Sequence, residues 1–157
     1  MTDKQTFLLQ RVQPAMTGLI DGSLSTLAPI FAIALHTRNP FDAFIAGVAT
    51  AIGAGISMAF SEGLSDTGEL TGRGNPFVRG SITGVGTFVG GILHTLPFLI
   101  PDYKVAILLA IGVVGLELVA LAWLRWRFFE TSFARSFASV TLGGVVIAGV
   151  AAALGTA

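Results

Sequence analysis

Apolar residues in this chain come in long stretches broken by short polar ones. No Asp, Glu, Lys or Arg occurs over 43–61, 80–101 or 136–157, so each run is at least 19 residues long. About 20 apolar residues cross a bilayer as a helix. The segments between the runs read HTRNP, SDTGELTGRGNP, LIPDY and RWRFFETSFAR. They concentrate the Pro, Gly, Asn and charged residues that end helices or sit at the interface. The pattern predicts five transmembrane helices at roughly 14–36, 41–65, 77–100, 103–124 and 134–155. The expected fold is an all-α integral membrane protein, one domain over 1–157, with loops too short for a second, soluble domain. Pro29 and Pro97 fall inside predicted spans and are expected to kink them, freeing backbone carbonyls.

Composition supports the class. Of 157 residues, 53% are hydrophobic and 11% charged, with a mean hydropathy of +0.80. A soluble domain of this size needs more polar surface. Cysteine is absent, which excludes disulfides and thiolate metal sites. The net charge is zero and there is no basic tract, so nucleic acid is not an expected partner. The amino terminus, MTDKQTFLLQRVQPA, is too polar for the apolar core of a cleaved signal, so the first span is expected to stay in the protein.

Charge asymmetry predicts orientation. With the amino terminus in the cytoplasm, seven basic residues lie inside (Lys4, Arg11, Arg73, Arg79, Arg125, Arg127 and Arg135) and two outside, Arg38 and Lys104. The positive-inside rule therefore places the carboxyl terminus outside. Trp123 and Trp126, beside Arg125 and Arg127, suit an inner interfacial anchor. The pairs Gly80/Gly84 and Gly86/Gly90 in the third span permit close helix packing. Five helices enclose little interior, so a homodimer with a path at or near its interface is expected.

Three carboxylates fall within predicted spans: Asp21, Glu62 and Glu117. Such groups are expensive in hydrocarbon and mark ion or proton pathways. With these helix limits Asp21 lies about 10 Å in from the cytoplasmic start of its span. Met58 and Glu117 lie equally far from the inner ends of theirs, and Glu62 follows Met58 at i+4 on the same face. Carboxylate oxygens with a thioether suit a first-row divalent ion such as Fe²⁺ or Mn²⁺, and the same carboxylates can hold protons instead. The expected metal site is thus Asp21, Met58, Glu62 and Glu117. Plainer roles are open for each. Met58 fills a core, Glu62 snorkels to the interface, Glu117 neutralises an arginine, and Asp21 joins Ser23, Ser25 and Thr26 in a polar network. His36 and His94 are assigned to the outer half, outside the site. Asp66 and Glu69 read as a solvated loop. No nucleophile–base pair, phosphate loop or HExxH pattern suggests an enzyme.

These stretches resemble a known family. GLIDGSLSTLAPIFAIAL is similar to the first helix of the vacuolar iron transporter family, GAGISMAFSEGLSD to its second, and GGILHTLPFLIP to its third. The likeness extends over nearly the whole chain, although the last two helices match only in general character. It implies a dimeric secondary transporter that exports Fe²⁺, with Mn²⁺ as a second cargo, from the cytosol in exchange for protons. No prosthetic group is implied. It maps path residues of the family onto Asp21 and Met58, and a bacterial-type glutamate onto Glu62. Glu117 has no counterpart in it. The long glutamate-rich insert that collects iron in plant and yeast members is replaced here by SDTGELTGRGNP. Short loops favour a bacterial inner membrane. The fourth-helix end is similar to the membrane half of ferritin-like fusions. That likeness leaves a second expectation open: a non-transporting anchor or assembly subunit for a ferritin-like partner.

Overall fold

Asparagine followed by proline starts two of the helices. The computed structural model describes residues 2–129 and 131–157. Glu130, in the segment expected to separate the last two spans, lies outside the described residues. The Asn39 side chain accepts a hydrogen bond from the Phe41 amide at 3.0 Å, and that of Asn75 accepts from Val78 at 3.2 Å. Each caps a helix whose first residue is proline, where a missing N–H costs nothing. Ser132 caps the last helix through the Arg135 amide at 3.2 Å.

Among the described residues seven α-helices result: α1 (Asp3–Phe7), α2 (Gln13–Ser25), α3 (Leu27–Thr37), α4 (Pro40–Gly63), α5 (Pro76–Leu93), α6 (Tyr103–Phe129) and α7 (Phe133–Gly155). The first three form one helical path, Asp3–Thr37, of 35 residues. It contains a π-helical turn at Leu8–Val12 and a break at Thr26. Pro14 and Pro29 explain both irregularities, since each lacks an N–H and crowds the carbonyl four residues back. The path ends at Arg38, which takes the left-handed conformation (φ 53°) of a C-terminal cap.

Among the described residues four helices are long and apolar enough to cross a membrane: Asp3–Thr37, Pro40–Gly63, Tyr103–Phe129 and Phe133–Gly155. The expected third span differs. Its α-helix stops at Leu93 after 18 residues, and Pro97 sits in a separate 3₁₀ turn, Leu96–Leu99. At 1.5 Å per residue α5 is about 27 Å long.

Helix α5 is the centre of the bundle, held between α2 and α4 by glycines. A Cβ at Gly90 would lie 2.7 Å from the Leu19 carbonyl oxygen, and one at Gly84 2.6 Å from that of Gly55. At Gly22 a Cβ would collide with the Thr87 carbonyl. Both glycine pairs noted in the sequence are therefore used within one chain. Gly80 and Gly84 face α4, while Gly86 and Gly90 face α2.

These contacts also set direction. Gly18 and Gly22 meet Thr83 and Thr87 in the same order, so α2 and α5 run parallel. Gly55 meets Gly84 whereas Ala59 meets Gly80, so α4 runs the other way. Apolar clusters close the two ends of the bundle. Ile30, Ala34, Ala43, Phe98, Ala106 and Ala110 form one, and Val12, Met16, Leu121 and Val140 the other. Their order along the chain makes α6 antiparallel to the first helical path. Buried polar side chains (Thr26, Thr83, Thr87, His94 and Glu117) occupy the level between the clusters. Outward positions are apolar, Leu108 and Leu116 being 70% and 72% exposed, as a lipid-facing surface requires.

Candidate functional site

Asp21 and Met58 line one cavity. It is an open groove of about 500 Å³ bordered by Thr17, Ile20, Asp21, Leu24 and Ser25 from α2, Met58 from α4 and Ile147 from α7. Asp21 lies one turn before the Thr26 break and is only partly covered. Among the described residues no side chain or amide is hydrogen-bonded or ion-paired to its carboxylate. The groove thus offers a hard oxygen donor, a soft thioether and two hydroxyls. The plainer reading of Asp21, a polar network with neighbouring hydroxyls, is not what the geometry contains.

Glu62 does not join this groove. Its Oε1 accepts from Arg73 Nη2 at 2.7 Å and from Arg79 Nε at 2.9 Å. Asp66 binds the same two arginines, through Arg73 Nη1 and Arg79 Nη1, each at 3.1 Å. The Arg79 side chain is wholly buried and also donates to the Glu62 carbonyl and Ser65 Oγ, both at 3.4 Å. Two acids and two bases form a neutral cluster that ties the end of α4 to the start of α5. Asp66 is part of it, so the loop is not simply solvated. Burial works against the Asp66 charge. Hydrogen bonds from Arg79, the Gly68 amide and Arg73, with the charge of Arg79, outweigh it and hold the carboxyl below its ordinary value. The i+4 spacing places Glu62 beneath Met58 along the helix, but the paired arginines determine where its carboxylate points.

Glu117 is also elsewhere. Its Oε2 lies 3.0 Å from His94 Nδ1. His94 Nε2 is 2.8 Å from Thr26 Oγ1, which donates to the Gly22 carbonyl at 2.8 Å. His94 and Thr26 are wholly buried, and Glu117 is 8% exposed. Glu117 Oε1 is buried without a hydrogen-bond partner among the described residues. The expectation that Glu117 belongs to the inner half came from a helix ending at 124. Helix α6 continues to Phe129, which places Glu117 near the middle of the helix. His94 follows the last residue of α5 and lies at the same level. An arginine partner for Glu117 is replaced by His94.

The four expected ligands therefore separate into a groove pair, Asp21 with Met58, and two residues engaged elsewhere. Among the described residues no three His, Cys, Asp or Glu side chains converge to hold a metal ion. Comparison with protein-family models, with curated protein sequences and with solved structures found no match to this chain.

Proposed function

We propose that this chain is a five-pass secondary transporter that exports a divalent transition metal, Fe²⁺ or Mn²⁺, from the cytosol in exchange for protons. The observation that carries this reading is the pairing of Asp21 with Met58 in one open groove beside a helix break. A carboxylate without a counter-charge in a membrane span takes up either a proton or a cation, and exchange of one for the other is the minimum of antiport. The thioether favours a transition metal over Mg²⁺ or Ca²⁺. The motif likeness to vacuolar iron transporters supports the same cargo.

One carboxylate and one thioether do not complete a coordination shell. In a homodimer whose copies meet at this groove, two Asp21 and two Met58 would face one path. The alternating helix directions and the excess of basic residues on one side support five passes, with the amino terminus inside a bacterial inner membrane. The second reading, a non-transporting anchor or assembly subunit for a ferritin-like partner, is favoured by the absence of a three-ligand cluster among the described residues.

Uptake of Fe²⁺ or Mn²⁺ into proteoliposomes under an imposed pH gradient separates the two. Transport requires flux from the purified chain, and an anchor gives none. Asp21→Asn combined with Met58→Ala should abolish the flux, and undiminished transport in that variant would sink the residue assignment.

A further inference from the structure

We propose that His94 and Glu117 form a proton-binding site inside the membrane, separate from the Asp21–Met58 groove, and that Thr26 relays its charge state to the helix break beside Asp21. Only the link to cargo rests on the transport reading; the proton site stands on its own geometry.

The argument begins with donors. Thr26 has one hydroxyl proton and two neighbours at 2.8 Å, His94 Nε2 and the Gly22 carbonyl oxygen. It cannot donate to both. When the hydroxyl donates to Gly22, its oxygen is free to accept, and Nε2 satisfies it only by carrying a proton. The 3.0 Å contact between His94 Nδ1 and Glu117 Oε2 then holds a second proton, on the ring or on the carboxyl, so the pair carries two. Loss of the Nε2 proton leaves a bare acceptor there. The Thr26 hydroxyl turns towards it, and the Gly22 carbonyl loses that hydrogen bond. One proton leaves, one hydroxyl rotates, and all other bonds persist.

The relay ends where it matters for cargo. Gly22 follows Asp21 directly, and its backbone packs on the Thr87 carbonyl with no room for a Cβ. Thr26 is itself the break between α2 and α3. A change in the Gly22 hydrogen bond is therefore applied to the weakest point of the first helical path. Glu117 Oε1, buried and unpartnered, is a second position at which the pair can accept a proton.

Among the described residues no other charge shares the site. On the neighbouring helices, Glu62 and Arg79 bind each other at one end of the bundle. Asp42 and Lys104 sit in the first turns of α4 and α6. Arg125 and Arg127 lie at the far end of α6, and Asp21 faces the groove. An ionisable pair without those partners is more than helix packing requires, since neutral side chains would serve.

The test labels histidine with ¹⁵N and follows the imidazole resonances in lipid nanodiscs from about pH 4 to about pH 9. Exposed His36 is removed as His36→Asn to leave one signal. The ring-nitrogen resonances of His94 should change across this range, and Glu117→Gln should alter that change. A His94 that keeps one protonation state throughout overturns the proposal, and this wild-type measurement does not depend on a variant folding. A second arm measures Mn²⁺ uptake into proteoliposomes with and without a pH gradient. The ratio of the two should fall to about one in Glu117→Gln, which is the loss of coupling. A ratio equal to that of the wild type overturns the relay. If the wild-type chain moves no Mn²⁺, the transport reading fails and the titration alone decides the proton site.

Discussion

Arg79 reaches Glu62 across 17 positions of sequence, Nε to Oε1 at 2.9 Å, with its side chain entirely buried. The pair joins the last turn of α4 to the first of α5, and Arg73 with Asp66 completes the neutral cluster. Burial makes the two arginines unequal, because a guanidinium with no access to water depends on its partners. Arg73 is 22% exposed and has water as an alternative.

Replacing Arg79 by leucine should destabilise the chain by roughly 3–5 kcal/mol, because Glu62 would keep a partly buried charge with half its partners. Arg73→Leu should cost about 1 kcal/mol or less. Thermal unfolding in detergent measures both, and equal losses would show that burial is not what distinguishes them.

The Asp66 carboxyl, held below its ordinary value, sets an acid limit. A lowered folded value contributes stability that is present above the unfolded carboxylate value and is lost as pH falls through the folded one. The contribution should be complete at neutral pH and disappear below about pH 4. In Asp66→Asn the difference in midpoint between neutral and acid pH should shrink, and an unchanged acid profile would remove Asp66 as its source.

Gly22→Ala should be among the most damaging small substitutions. Its Cβ would meet the backbone of Thr87, which cannot move without parting α2 from α5, at a cost of about 1–3 kcal/mol or more. Gly53, Gly112 and Gly149 have open space at the same position. Alanine there should stabilise the monomer by roughly 0.5–1 kcal/mol through helix propensity. Melting temperatures of the four variants give the comparison, and a harmless Gly22→Ala would mean the helices are not in close contact.

Thr26→Val preserves shape and removes both hydrogen bonds of the hydroxyl. Leaving His94 Nε2 and the Gly22 carbonyl without it should cost about 1–3 kcal/mol, and Thr26→Ser should recover most of that. If serine behaves like valine, the threonine acts through packing rather than through its hydroxyl.

Sequence alone was sufficient for the all-helical class, the presence of helices long and apolar enough to cross a membrane, the carboxyl end of the first of them and the approximate limits of the second and last. Those features follow from local quantities: the length of apolar runs, the position of Pro and Asn, and the scarcity of charge. It put Asp21, Met58, Glu62 and Glu117 at one depth, and of these Asp21 and Met58 line the same groove.

Tertiary structure decided the partners. Glu62 shares a helix face with Met58, yet Arg79 on the next helix and Arg73 in the loop between them turn its carboxylate away. Glu117 was placed by counting from a helix end, and α6 continues five residues beyond that end, to Phe129. His94, at the end of α5, meets Glu117 in the middle of α6, 23 positions along the chain. A carboxylate's preferred neighbour depends on which cation or donor is nearest in space. Periodicity fixes direction around one helix, and says nothing of the register between helices in which such pairs are formed.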